Sequence, residues 1–250
     1  MTPVLRTQSL TKRFGELAAL TDVSLSLPRG ARHALIGPNG AGKTTFINLL
    51  TGVLEPSAGE VYLGEERITP LAQDRRVKRG LARTFQINSL FPGLTVLESV
   101  LLAVLERKGF AARWLRTLTS YRDEVDEAMA LLATLRLQAD ADKRTTELPY
   151  GRQRLVEIAL ALATRPAILL LDEPAAGIPS AESVEVLGVV AGLPAEVTVL
   201  FIEHDMGLVF RFAERITVLV AGRVLMEGTP GEVAADERVK AVYLGTGHHG

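Results

Sequence analysis

The stretch Gly37-Pro38-Asn39-Gly40-Ala41-Gly42-Lys43-Thr44-Thr45 constrains this chain more than any other. It matches G-x-x-x-x-G-K-[ST] and lies between the strand-like "RHALI" and the helix-like "FINLLTGVL", which is the setting that pattern requires. Glycines let the backbone wrap an anion, and the loop N–H groups and the helix N-terminus then point at it. Lys43 supplies a mobile positive charge for phosphates, and the Thr44 hydroxyl can ligate Mg2+. A chain built this way needs a parallel strand before the loop and a helix after it, hence an α/β fold.

The rest of the pattern agrees. "VLRTQSL", "LTDVSLSL" and "RHALI" alternate like strands. Residues 59–63 form a further strand, and "GLARTFQ" another that ends at Gln86. From Leu94 to Arg144 the period becomes helical, with Val125, Ala128, Met129, Leu132 and Leu135 on one face. "AILLLDEP" is apolar until its terminal acids, the mark of a central parallel strand buried on both sides. A helix follows from Ser180, then the strand "VTVLFIEHD", a helix, the strands "RITVLV" and "RVLMEG", and a last helix after Pro230. The expected organisation is an α/β core with a β subdomain over 1–93 and 145–250. A helical subdomain over 94–144 interrupts it.

Composition excludes several classes. The net charge is −1, so nothing draws the whole chain to nucleic acid or anionic lipid. There is no cysteine, hence no disulfide and no thiolate metal site. No apolar run approaches the roughly 18–20 residues a membrane span needs. Five basic residues and no acidic one lie from Arg107 to Arg122, interleaved with Phe110, Trp114 and Tyr121. That stretch is either a solvated helix or a face for lipid headgroups or a membrane partner.

"AILLLDEP" supplies the second half of a phosphate site. Asp172 at the strand end can hold the Mg2+ shell, and Glu173 beside it can polarise a water that attacks a γ-phosphate. "LPYGRQR" then opens a helix with a proline, an aromatic, a glycine and two arginines.

In order, "GPNGAGKTT", Gln86 in "RTFQ", a helical block, "LPYGRQR", "ILLLDEP" and "IEHD" resemble the ATP-binding subunits of ABC transporters over nearly the whole chain. The resemblance implies a P-loop NTPase core with an antiparallel β subdomain and an inserted helical subdomain. It implies ATP and Mg2+ as ligands. Phe14 stands where an aromatic stacks on adenine; its other reading is an ordinary strand-end core residue. Gln86 stands where a glutamine reaches Mg2+ and links to membrane subunits, and His204 where a switch histidine touches the γ-phosphate. "LPYGRQR" takes the place of a signature that closes on the ATP of a second, head-to-tail subunit, through Tyr150, Gly151 and Arg152 here. Pro149, Tyr150 and Arg152 depart from the usual serine, glycine and glutamine. Either that half-site is weakened, or backbone donors and Arg152 compensate.

The tyrosine in the signature, "EIA", "EPAAG", "IEHDM" and the ending "VYLG" are similar to ATPases of branched-chain and hydrophobic amino-acid importers. Those imply two membrane permeases, a periplasmic or surface binding protein, and homodimer or heterodimer formation with a sister ATPase. The expected place is the cytoplasmic face of the cell membrane, with no nucleic-acid partner. ATPases of urea or amide import and of lipopolysaccharide export share much of this wording. Soluble ABC proteins of translation or DNA repair, which usually carry two such domains or a long coiled-coil insert, form the alternative class.

Overall fold

A computed structural model describes residues 3–84, 91–110 and 121–244. Two sheets organise it. The first is antiparallel, in the order β2-β1-β4-β5, from β1 (Leu5–Phe14), β2 (Leu17–Leu27), β4 (Ala58–Leu63) and β5 (Glu66–Arg67). The second has the order β10-β9-β3-β8-β7-β6. Its members are β3 (Arg32–Ile36), β6 (Leu81–Arg83), β7 (Ile168–Asp172), β8 (Thr198–Ile202), β9 (Arg215–Val220) and β10 (Arg223–Gly228). Within it β9, β3, β8, β7 and β6 run parallel, and β10 closes the edge antiparallel to β9.

The strand readings change in detail. "RHALI" does not alternate: all five residues of β3 are buried, because the strand lies between β9 and β8 with both faces covered. The strand read from "GLARTFQ" spans only Leu81–Arg83 among the described residues, and Gln86 lies outside them. The strand in "VTVLFIEHD" stops at Ile202. The single helix expected after Pro230 is two, α8 (Pro230–Ala235) and α9 (Glu237–Leu244). Asp236 between them is extended, at φ −73 and ψ 120, and its carboxylate accepts from the Arg238 and Val239 N–H groups at 2.8 and 3.2 Å. An acid that bonds the backbone two and three residues on breaks one helix and starts the next.

Among the described residues seven α-helices precede these two: α1 (Lys43–Thr51), α2 (Gln73–Lys78), α3 (Val96–Arg107), α4 (Arg122–Thr134), α5 (Tyr150–Ala163), α6 (Ser180–Ala191) and α7 (Met206–Phe212). Ala128, Leu132 and Leu135 are fully buried, with Val125 and Met129 packed beside them. This apolar face of α4 meets Val96, Val100 and Val104 of α3 and joins Leu155, Ile158 and Ala159 of α5 in one core that continues to the sheet. The other side of the sheet packs on Phe46, Ile47, Leu49 and Leu50 of α1 and on the antiparallel sheet. Trp114 lies outside the described residues.

Arg76 fixes the far end of α1. It is 1% exposed, and its guanidinium donates to the carbonyls of Leu49, Leu50 and Thr69 at 2.7–2.8 Å and of Leu71 at 2.9 Å. A cation at a helix C-terminus satisfies carbonyls that have no partner inside the helix.

His33 gives the fold a pH dependence. It is buried in β3, its Nε2 bonds to Thr217 Oγ1 at 2.7 Å, and its Nδ1 has no partner. Burial, helped by Arg215, pushes its pKa from 6.5 down to about 4. The folded form therefore resists a proton that the unfolded chain accepts below about pH 6.5. Stability is complete above that value and falls as the pH drops toward 4. At pH 5 this group alone costs about 2 kcal/mol. Urea unfolding at pH 7.5 and pH 5 should show that loss in the wild type and a smaller one in His33→Gln.

Candidate functional site

The glycine loop runs from the end of β3 into α1. Gly42, ahead of the helix, sits at φ +101 and carries no side-chain cap, so the first N–H groups of α1 are not consumed by a side chain. A Cβ at Gly37 would come within 2.1 Å of the Leu219 carbonyl oxygen; the loop passes too close to β9 for any other residue. Lys43 is 7% exposed and its Nζ donates to the Gly37 and Pro38 carbonyls at 2.7 and 3.1 Å. Burial lowers its pKa, while Glu173 and Asp172 oppose the shift. The ammonium thus sits across the loop, facing two carboxylates.

One open cleft of about 460 Å3 brings the main groups together. Asn39, Gly40, Ala41, Gly42, Lys43, Thr44 and Thr45 line it with Glu173 and His204. The meeting follows from topology. Glu173 follows β7 and His204 follows β8, which are parallel neighbours with Asp172 opposite Ile202, and the loop follows β3 on the other side of β8. Ligands of open α/β sheets bind at these carboxyl ends. His204 Nε2 lies 2.5 Å from Glu173 Oε1, with both side chains nearly half exposed. Glu173 adopts φ +51, which is unusual for a residue with a side chain.

Other expected residues stand elsewhere. Phe14 is 47% exposed, with Lys12 Nζ 5.1 Å from its ring centre, and it does not line the cleft. Leu17, Ala18 and Ala19 do; Leu17 pairs with Phe14 across the β1–β2 turn and is 68% exposed.

Asp172 is bound by a partner that sequence reading missed. Arg83 Nη2 donates to its Oδ2 at 2.7 Å, and Nη1 donates to Asn48 Oδ1 of α1 at 2.8 Å. The available signal was an arginine in a short strand next to a strand that ends in an acid. The pair leaves Asp172 its other oxygen, and Thr44 is exposed in the first turn of α1. No group of three His, Cys, Asp or Glu among the described residues could hold a metal by itself. This sparse oxygen set suits Mg2+, which takes much of its shell from water and substrate phosphate.

The start of α5 forms a separate place, lined by Pro149, Gly151, Arg152, Leu155, Glu182, Glu185 and Val186. It shares no residue with the loop cleft. Tyr150 is 60% exposed. Gly151 N–H donates to Glu182 Oε2 at 2.9 Å, and a Cβ there would come 2.6 Å from that oxygen. Arg152 donates to Asp140 Oδ2 at 3.1 Å and the Arg136 carbonyl at 2.7 Å, and lies 3.5 Å from Glu185. Within the chain, then, the charge of Arg152 is matched by two carboxylates, and one N–H of the helix start is held by a third.

A family model described as ABC transporter matches residues 20–176, and one described as branched-chain amino acid ATP-binding cassette transporter matches residues 223–249. The chain belongs to the ABC transporter family and is an ATP-hydrolysing subunit of it. It is 39% identical to the high-affinity branched-chain amino acid transport ATP-binding protein BraF of Pseudomonas aeruginosa, over 97% of this chain and 98% of that one. A solved ATP-binding cassette in its ADP conformation superposes with a TM-score of 0.84 at 32% identity, covering 98% of this chain and 100% of that one. A dimeric cassette bound to ADP and Pi superposes at 0.72 with 29% identity, over 90% of this chain and 98% of that one.

Because Arg152 is tied within its own chain, Arg152→Ala should leave the nucleotide affinity of the isolated chain within about twofold of wild type. It should cost about 1 kcal/mol of stability, read as a lower thermal midpoint. A tenfold weaker affinity would put the guanidinium at the chain's own phosphate site.

Proposed function

We propose that this chain powers an importer for branched-chain or other hydrophobic amino acids. Two such cassettes, this one with a copy or a sister ATPase, work beneath two permeases at the cytoplasmic face of the membrane, and a separate binding protein presents the cargo. The observation that carries the ATPase role is the convergence of the glycine loop, Glu173 and His204 on one cleft. The cargo rests on the printed function of BraF and the match over residues 223–249.

In this reading Lys43 and the loop N–H groups hold the nucleotide phosphates. Glu173 takes the proton of the attacking water. His204 holds that carboxylate and faces the γ-phosphate. Thr44 and Asp172 hold Mg2+, which neutralises phosphate charge when bound; Gln86, the third ligand inferred, lies outside the described residues. Tyr150 and Gly151 meet the nucleotide of the other cassette, which their separation from the loop cleft supports. There Glu182 must yield its bond to Gly151.

The permeases reach the chain near the end of β6. An apolar cavity of about 170 Å3 supports this, walled by Val77, Leu81, Leu160 and Ala161 and adjoining Thr84. No helix among the described residues is long and apolar enough to cross a membrane, so attachment would run through such a partner.

Two substitutions test the reading in the complex assembled with its permeases. Lys43→Ala should abolish hydrolysis and weaken ATP binding, since a charge-assisted contact is worth about 1.5–3 kcal/mol. Glu173→Gln should cut hydrolysis by roughly 10²–10⁴ while ATP stays bound. Wild-type turnover in Glu173→Gln would mean that another group activates the water. Stimulation by a binding protein loaded with leucine or valine, and not by one loaded with a polar amino acid, checks the cargo.

A further inference from the structure

Glu203 stands between Ile202 and His204, is 5% exposed, and lines a second cleft beside the loop cleft, with Glu173, Ala175 and His204 on the same wall. Its ligands are all within the chain. Oε1 accepts the Ala175 N–H at 2.7 Å, and Oε2 accepts the His204 N–H at 3.3 Å. One carboxylate therefore ties the loop that follows Glu173 to the backbone that carries the histidine. Burial pushes the Glu203 pKa up, and the two N–H bonds oppose that shift. Hydrogen bonds to a buried carboxylate are of the stronger kind.

This clamp has work to do. Glu173 is held at φ +51, a left-handed conformation that persists in a side-chain-bearing residue only when its surroundings impose it. Three bonds surround it. Glu173 N–H donates to the Ile202 carbonyl at 3.0 Å, Ala176 N–H donates to the Glu173 carbonyl at 3.0 Å, and Ala175 N–H donates to Glu203. The first two are backbone contacts that any sequence can make; the third needs a side-chain acceptor at position 203. On the other side, Asp205 accepts the N–H groups of Gly207 and Leu208 at 2.8 and 3.1 Å and starts α7. His204 is thus fixed from below by Glu203 and from beyond by Asp205.

We propose that Glu203 is a positioning residue for hydrolysis: its carboxylate sets the spacing of Glu173 and His204 by holding the N–H of His204 and that of Ala175, two residues past Glu173. The proposal rests on the reading of Glu173 and His204 as the hydrolytic pair. Glu203 touches no part of the nucleotide-binding loop, so it should govern turnover and not affinity.

The test compares Glu203→Gln, Glu203→Ala and Glu173→Gln in the full chain assembled with its permeases, with kcat for MgATP, nucleotide affinity and thermal midpoint measured together. Glutamine keeps the shape and one acceptor, so it should hold the Ala175 N–H and lose the His204 bond. We expect kcat about fivefold lower in Glu203→Gln and about thirtyfold lower in Glu203→Ala, with affinity within about twofold of wild type in both. An unchanged kcat in Glu203→Ala would overturn the proposal. So would a loss of affinity in step with kcat in the isosteric glutamine variant, because that is the behaviour of a residue that only holds the fold. Should Glu173→Gln itself turn over at the wild-type rate, the hydrolytic pair has been misassigned, a failure read independently of Glu203.

Discussion

Everything at this site depends on the parallel register of three strands. β3, β8 and β7 are adjacent and point the same way, so the segments that leave their carboxyl ends share one rim. The phosphate loop leaves β3, His204 leaves β8 and Glu173 leaves β7. These groups are far apart in the chain, and no local rule brings them together. The backbone ladder does. The strands that carry it are buried on both faces, which is why the register has little freedom to slip.

Around that rim, charge is paired before any ligand enters. Arg83 links Asp172 to Asn48 of α1, Lys43 donates to the Gly37 and Pro38 carbonyls of its own loop, and Glu203 gathers two backbone N–H groups. Such pairing keeps each carboxylate oriented, and the Arg83 bond uses only one oxygen of Asp172. The start of α5 follows the same principle in a place of its own, with Glu182 on the Gly151 N–H and Arg152 between Asp140 and Glu185. An ATP phosphate from a second cassette would compete with Glu182 for the same donor. In the proposed dimer, binding there would exchange one anion for another, and its strength would depend on the difference between them.

Much of the site was legible in the sequence because its chemistry is local. A glycine loop with Lys43 and Thr44 needs particular residues at fixed spacing, and Asp172-Glu173 after an apolar run needs only a buried strand. The parts that were not legible are relations between distant segments. Nothing in "LARTFQ" says that Arg83 reaches Asp172 from β6. Nor does the sequence say that the turn after Phe14 puts Leu17, Ala18 and Ala19 along the cleft. "LPYGRQR" likewise does not show that Arg152 meets carboxylates at 3.1 and 3.5 Å.

The sequence by itself determined the class of the fold, the phosphate loop, the paired acids and the helix opened by "LPYGRQR", because each is written in contiguous residues under a local steric or hydrophobic rule. It also carried the alternation of β1 and β2 and the apolar face of α4. Only the tertiary structure decided which charges are already satisfied, which face of the first hairpin meets the cleft, and that one buried acid, Glu203, accepts from both Ala175 and His204. Those are properties of strand order and of distances across the sheet, and residues far apart in the chain acquire them only when β3, β8 and β7 lie side by side.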